Sequence, residues 1–351
     1  MGEATYRAVI LKVDRIGDFV LCLGAIRQAL AAWGETECLL VVSPVAAELA
    51  ALEFPRTPRL VLPASVGKKR LLNESLRARR RLARVSCDLL VSFRNQRWDF
   101  DELTLHWISA RRKLVLEDQK HGWLVESHRT YLAPGVERVA FVEAASFAPS
   151  VCRELLRHRQ LLSAALGREL SLSEIMPILT RLGSANGPVV VCPLGSDPIR
   201  DIPVESLAAA LGARPDGTSI RILGSPGQSP RLTGIVDALQ AHGISNVTVE
   251  TSLSMGEFVS ALAGACLVLS AESAAAHLAT ALDQRAILFI GGGHYGQFGP
   301  WSRSGRQVWL VHRVPCFGCD WRCIYPEPIC LSQIPAESVR SAATSLLGAS
   351  R

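Results

Sequence analysis

Four places in the sequence hold side chains capable of chemistry. The first is KVDRIGDFVL at 12–21, where charged residues interrupt two apolar runs. Asp18 follows Gly17, which lets a ligand approach the backbone closely, and a carboxylate facing such an opening can take a proton from an incoming hydroxyl. The plainer reading is that Asp18 caps a helix starting near Phe19 by accepting a backbone N–H bond. Asp14 and Arg15 either pair with each other or shape the same edge. The second place is LGSDPIRDIP at 194–203. There Ser196 offers a hydroxyl and Arg200 a guanidinium that can fork onto phosphate, although a surface arginine is the simpler account.

The third is AESAAAHLATAL at 271–282, in which Ser270 to Ser273 end a strand and open a helix. The free N–H groups of such a helix start suit an anion. Glu272 then stands at the entrance with its carboxylate available to ligand hydroxyls, or else caps the helix while His277 packs in its first turns. The fourth is CFGCDWRCIYPEPIC at 316–330, spaced C-x2-C-x3-C-x6-C. In a cytosolic chain, Cys316, Cys319, Cys323 and Cys330 favour a tetrahedral metal, zinc or iron, over disulfides. The alternative is reduced thiols lining a loop, or one disulfide. Phe317, Trp321 and Tyr325 interleave without neighbouring lysines, so a structural clip fits better than a nucleic-acid-binding finger.

Two further motifs are weak. GGGHYG at 291–296 matches G-x-G-x-x-G after a strand, but QFGPWSRSG cannot readily continue as a helix, and the acidic residue expected after a second strand is missing. It reads as a loop for close ligand approach, with a nicotinamide-dependent oxidoreductase as its competing meaning. DFD at 99–101 has the form of a metal-binding D-x-D, a spacing common by chance.

These residues need strands and helices to position them. AVILKV at 8–13, LLVVS at 39–43, RLVL at 59–62, DLLVSF at 88–93 and KLVL at 113–116 alternate with helix-like segments, predicting βαβ units around a parallel sheet. The pattern weakens, continues as a helix over 151–166, and passes RLGSANGP at 181–188, a linker by composition. PVVVCP at 188–193, SIRILG at 219–224, VTVE at 247–250, CLVLS at 266–270, AILFI at 286–290 and QVWLV at 307–311 then give a second set of buried strands. The class is therefore α/β, with Rossmann-like domains over 1–182 and 183–351, the cysteine-rich insert 316–330 and a final helix over 335–347 with Pro335 at its first position. In open parallel sheets ligands sit beyond the carboxyl ends of strands, where the first three places fall.

The chain has 351 residues and 48% hydrophobic composition, enough for a core in each of two domains. Its net charge of +6, from 38 basic and 32 acidic residues, suits a phosphorylated ligand or an anionic surface and is too mild to argue for nucleic acid. KKRLLNESLRARRRLAR at 68–84 is rich in Lys and Arg with a single Glu. Leu71, Leu72, Leu76 and Leu82 make a helical stripe, predicting a helix packed on the sheet or drawn to anionic lipid or an anionic acceptor. No run of 18 apolar residues and no signal-peptide core appears, so a cytoplasmic protein is expected. Cys22, Cys38, Cys87, Cys152, Cys192 and Cys266 read as buried small side chains.

Taken in order, ILKVDRIGDFVL, CPLGSDPIRDIP, LSAESAAAHLATAL with its glycine loop, and the late cysteines with CLSQIPAESV resemble glycosyltransferase family 9, the heptosyltransferase-like enzymes of bacterial surface polysaccharide assembly. The resemblance implies a GT-B fold, with the acceptor on the first domain and the nucleotide-sugar on the second. It implies inverting transfer, of a heptose from an ADP-heptose-type donor to a surface glycan, lipopolysaccharide core or protein. Asp18 matches the family's catalytic aspartate. Arg200 stands where the family usually has lysine, while Glu272, Ser273, Ala274 and His277 match an Asp-Ser/Thr-Gly-x-x-His element with Glu for Asp and Ala for Gly. A carboxylate near the ribose is not evident, since GSPGQS at 224–229 offers only Gln228. The resemblance further implies catalysis without a divalent metal and a structural metal at the late cysteines, while the basic helix at 68–84 suits contact with the anionic inner-membrane surface. The competing class is a non-catalytic GT-B-like binding protein for an anionic partner.

Overall fold

A computed structural model describes residues 4–63, 68–94, 99–116, 135–141, 151–180 and 187–348, with backbone alone at 68–72 and 99. Residues 181–186 of the linker segment lie outside the described residues. The chain divides into two compact units, the first of 1–146 and 154–177 and the second of 147–153 and 178–351.

The first unit carries strands β1 (Ala4–Lys12), β2 (Cys38–Val42), β3 (Arg59–Val61), β4 (Val85–Ser92), β5 (Ser109–Leu116) and β6 (Val136–Val139). All pair in parallel, in the order β3-β2-β1-β4-β5-β6. The second half of β1 and all of β2 are buried, which is why they read as unbroken apolar runs: helices cover both faces of a parallel sheet. The helices are α1 (Ile16–Trp33), α2 (Ala47–Glu53), α3 (Lys68–Leu82), α4 (Asp99–Trp107), α5 (Arg153–Leu166) and α6 (Leu172–Ile175). α1 is long and apolar enough to cross a membrane by composition, yet Phe19 to Ile26 are all buried against the fold, as in a core helix. Gly24 makes the α1–α6 approach possible, because a Cβ there would lie 2.0 Å from the Ile175 carbonyl oxygen.

The second unit repeats the plan with β7 (Val189–Cys192), β8 (Ile220–Leu223), β9 (Val247–Glu250), β10 (Leu267–Ala271), β11 (Ala286–Phe289) and β12 (Gln307–Leu310). Their order is β12-β11-β10-β7-β8-β9. Numbered from β7, that is the same arrangement as in the first unit. Its helices are α7 (Val204–Leu211), α8 (Ser229–Ala241), α9 (Met255–Ala263), α10 (Ala274–Ala281), α11 (Ile329–Ser332) and α12 (Ala336–Gly348). Val189, Val191, Leu207, Ile222, Leu269 and Phe289 centre its core.

Three local expectations are corrected. α1 starts at Ile16 with Arg15 in the cap position, so Asp18 lies inside the first turn and does not cap. In α3, Leu82 is buried but Leu76 is 46% exposed, and Ser75 and Ala78 face inward instead. Leu71 and Leu72 lie outside the described side chains. The last helix begins after Pro335, whose carbonyl accepts the Val339 N–H, rather than at it. Of the six scattered cysteines, five are buried and Cys266 is half-buried.

Candidate functional site

In each sheet the strand order reverses beside the first strand of the unit, between β1 and β4 and between β7 and β10. Ligands of doubly wound sheets sit at these switch points.

At the first, β1 ends on a fully buried lysine. Lys12 Nζ lies 2.9 Å from Asp14 Oδ2 and 3.6 Å from Glu154 Oε1, donates to the Phe93 carbonyl at 2.9 Å, and is 3.5 Å from His158 Nε2. Burial opposes its charge, but Asp14 and Glu154 outweigh that and hold Lys12 above its ordinary value. Asp14 Oδ1 also meets Arg94 Nη1 at 2.9 Å, and Arg94 Nε meets Asp101 Oδ2 at 3.1 Å. Asp14 thus pairs with Lys12 and Arg94, not with Arg15, which is exposed. Asp101, half of the D-x-D motif, is consumed in an ion pair, while the Asp99 side chain lies outside the described residues. Burial alone would raise Glu154, but His158 and Lys12 bring it down to about 2.

Asp18 differs from these acids. Among the described residues Asp14, Asp101 and Glu154 each sit in an ion pair, and Asp18 does not. Its side chain is partly open to solvent yet deeply surrounded by protein. Burial first, and Asp14 second, push it up to about 7, against a smaller opposing pull from Lys12. A carboxyl titrating near neutrality in the first turn of a helix is suited to accept a proton.

At the second switch point, the loop after β7 and the turn after β10 face the same end of the sheet. Asp201 fixes the loop, accepting the Gly195 N–H at 3.0 Å and pairing with Arg231. Ser196 is exposed at its tip. Asp197 caps a single 3-10 turn, Pro198–Arg200, by accepting the Ile199 N–H at 3.1 Å. A Cβ on Gly195 would come within 2.4 Å of Arg200 Cβ, so that glycine makes room for the arginine. Ser273 holds the cap position of α10 in extended backbone without a side-chain cap bond, and its Oγ lies 3.3 Å from Ser270 Oγ. Ala274 opens the helix behind it. Glu272 is 6% exposed, and its Oε2 has no hydrogen-bond partner among the described residues. Burial raises it to about 7, partly offset by Arg200, and it does not cap. His277 is buried, accepts the Trp301 indole N–H on Nδ1 at 3.0 Å, and is lowered to about 4 by burial. Gln228 is used locally, its Oε1 accepting the Ser225 N–H at 2.9 Å.

The glycine loop and the cysteine loop are one packed element. A Cβ on Gly291 would lie 2.2 Å from the Trp321 ring, one on Gly293 2.6 Å from it, and one on Gly292 2.6 Å from the Phe317 ring. The GGG run therefore seats aromatic rings of the chain itself, which removes the dinucleotide reading. Cys316, Cys319, Cys323 and Cys330 line one pocket with Ile199, Gly292 and Trp321, and all four are free thiols. Burial raises the Cys330 thiol, with its three neighbours adding to the effect. Among the described residues, however, no three His, Cys, Asp or Glu side chains converge as metal ligands.

Sequence reasoning passed over Lys12, Arg94, Glu154 and His158 as well as the partnership of His294 with Trp321. Two signals were present: a lysine inside an apolar strand, and Glu and His spaced i, i+4 on α5.

The family model described as Glycosyltransferase family 9 (heptosyltransferase) matches residues 182–322. No curated protein matches the chain. Among solved structures, the chain resembles the E. coli heptosyltransferase WaaC with ADP, at 20% identity and TM-score 0.67, over 97% of this chain and 99% of that one. The glycosyl transferase family 9 structure from Veillonella parvula gives 14% identity and TM-score 0.72, over 100% and 99%. The iron-containing dodecameric glycosyltransferase TibC from enterotoxigenic E. coli gives 10% and 0.54, over 99% and 78%. These likenesses establish the fold, GT-B with two Rossmann-like units.

Proposed function

We propose that this chain, a glycosyltransferase whose family 9 domain spans residues 182–322, transfers a heptose-type sugar from an ADP-linked donor to a hydroxyl of a surface glycan, lipopolysaccharide core or protein, with inversion at the anomeric carbon. The observation that carries the reading is Asp18, the acid at the first switch point left outside the ion pairs and raised to about 7. In the reaction its carboxylate takes the proton of the acceptor hydroxyl as that oxygen bonds to the anomeric carbon. The bond from that carbon to the diphosphate oxygen breaks, and the diphosphate leaves with its electron pair. Arg200 and the N–H groups at the start of α10 receive the departing charge. Ser196, Glu272 and His277 supply polar groups for the donor. A positioned base contributes roughly 10²–10⁴-fold, and each charge-assisted bond to phosphate about 1.5–3 kcal/mol. The ADP bound in the WaaC relative supports the choice of nucleotide.

The exposed Arg77, Arg79, Arg80 and Arg81 of α3, beside exposed Leu76, suit an anionic acceptor or the inner-membrane surface, consistent with a cytoplasmic enzyme peripheral to that membrane. Each well-placed cation there is worth on the order of 1 kcal/mol. The thiol pocket has the donor chemistry for zinc or iron, though its side chains do not converge on one point. We read it as a structural cation site, and elemental analysis of purified protein is expected to give about one ion per chain; an empty pocket would make the loop a packing element only.

The reading is tested by mass spectrometry after incubation with ADP- and UDP-linked sugars and candidate acceptors. An acceptor mass increased by a heptose with the ADP donor is expected. No product with any donor, and no shift of Tm by ADP, would return the chain to the class of non-catalytic binding proteins.

A further inference from the structure

The cysteine loop reaches the second switch point through one side chain. Trp321 lies between Cys319 and Cys323, and the Arg200 guanidinium carbon stands 4.8 Å from the centre of its ring. The ring cannot slide away: Gly291 and Gly293 admit it so closely that any side chain there would clash. Its indole N–H donates to His294 Nδ1 at 3.2 Å, and His294 Nε2 is 2.9 Å from Asp320 Oδ1. That acceptor role on Nδ1 puts the imidazole proton on Nε2, facing the carboxylate. Arg200 Nη2 is itself 3.5 Å from His294 Nδ1. Asp320 and Trp321 hold φ of 51° and 60°, a left-handed conformation that L side chains adopt at a cost and keep where surrounding contacts enforce it.

We propose that Trp321 is a positioning residue for donor binding: stacked on Arg200 and pinned by His294, it holds the guanidinium in place for the donor phosphate and so makes the cysteine loop part of the donor site. The physical reason is preorganisation. An unsupported arginine loses rotamer freedom when it grips an anion, whereas a flat ring under a planar guanidinium fixes its plane beforehand. The inference rests on the donor-phosphate role given to Arg200. It also accounts for the GGGHYG motif, in which Gly291 and Gly293 seat the ring while His294 locks it.

The test is ADP titration by calorimetry on the full-length protein and its variants. Trp321→Phe keeps a ring face and is expected to bind within about threefold of the parent, whereas Trp321→Leu fills the seat without one and is expected to lose about 2- to 30-fold, the range for a lost cation–π contact. In an Arg200→Ala background Trp321→Leu should have no further effect, because its action runs through the arginine. Equal losses for Phe and Leu, parental affinity for Leu, or effects that multiply in the double variant would each overturn the proposal. The underlying reading fails separately and visibly: the parent would then bind no ADP, or Arg200→Ala would bind it as well as the parent.

Discussion

The two switch points share a strand order and differ in how they handle charge. At the end of β1, Lys12 and Arg94 pair with Asp14, Asp101 and Glu154, and Asp18 stands outside these ion pairs. At the ends of β7 and β10 the charges are sparse: a buried Glu272 with an oxygen unpartnered among the described residues, an arginine laid on an indole, and a helix start whose cap residue makes no side-chain cap bond. The first is a fixed field that sets one proton affinity. The second offers an arginine and a helix start to the donor phosphates that the proposed function brings there. A buried charge is tolerated when paired and hydrogen-bonded, so the crowded site is rigid, and ligand binding has most to offer at the sparse one.

The largest expected effect breaks the first site at its functional end. Asp18→Ala should lower transfer by roughly 10²–10⁴-fold while ADP affinity and fold are kept, measured as turnover beside calorimetry. Because the carboxyl titrates at about 7, the parental rate should fall as pH drops below neutrality, where the base becomes protonated. Near-normal turnover in the alanine variant would remove Asp18 as the base.

Lys12→Met attacks the field itself. It strands Asp14 and Glu154 with fewer cations in a buried setting, and removing one partner of a buried pair typically costs about 3–5 kcal/mol. Urea unfolding should show a loss of that order. Since Lys12 pulls the Asp18 proton affinity down, the acid limb of the transfer profile should also move to higher pH. A variant as stable as the parent, with an unmoved profile, would mean the network does not set Asp18.

Much of this contrast was legible in the residue order, and its limits are physical. The parallel sheets followed from unbroken apolar strands, and the positions of Asp18, Arg200 and Glu272 followed from lying just beyond strand ends. Residue spacing could not give the Arg94 partner of Asp14, because Arg94 lies 80 positions on, just past the end of β4, which pairs with β1 in the sheet. β6 was hidden because its burial is only partial, with Glu137 exposed and paired to Arg112. The glycine loop misled because a run free of side chains accommodates a ligand and an indole equally well; only the contact with Trp321 tells them apart.

The smallest expected effect probes the sparse site. Glu272 has its folded affinity for a proton raised to about 7 from an ordinary 4.5, so the folded state binds a proton there that the unfolded chain releases. That contribution to stability is fully present below about pH 4.5 and is lost as pH rises through about 7. Glu272→Gln removes the dependence. It should match the parent at pH 4 and exceed it at pH 8 by roughly 1–3 kcal/mol, read by urea unfolding at the two pH values. An anion beside Glu272 disfavours its ionised form further, so ADP binding to the parent should draw in a proton and weaken from pH 6 to pH 8 more than it does in the glutamine variant. Identical pH dependence in the two proteins would place the nucleotide's phosphates away from Glu272 and leave Arg200 and the start of α10 to hold them.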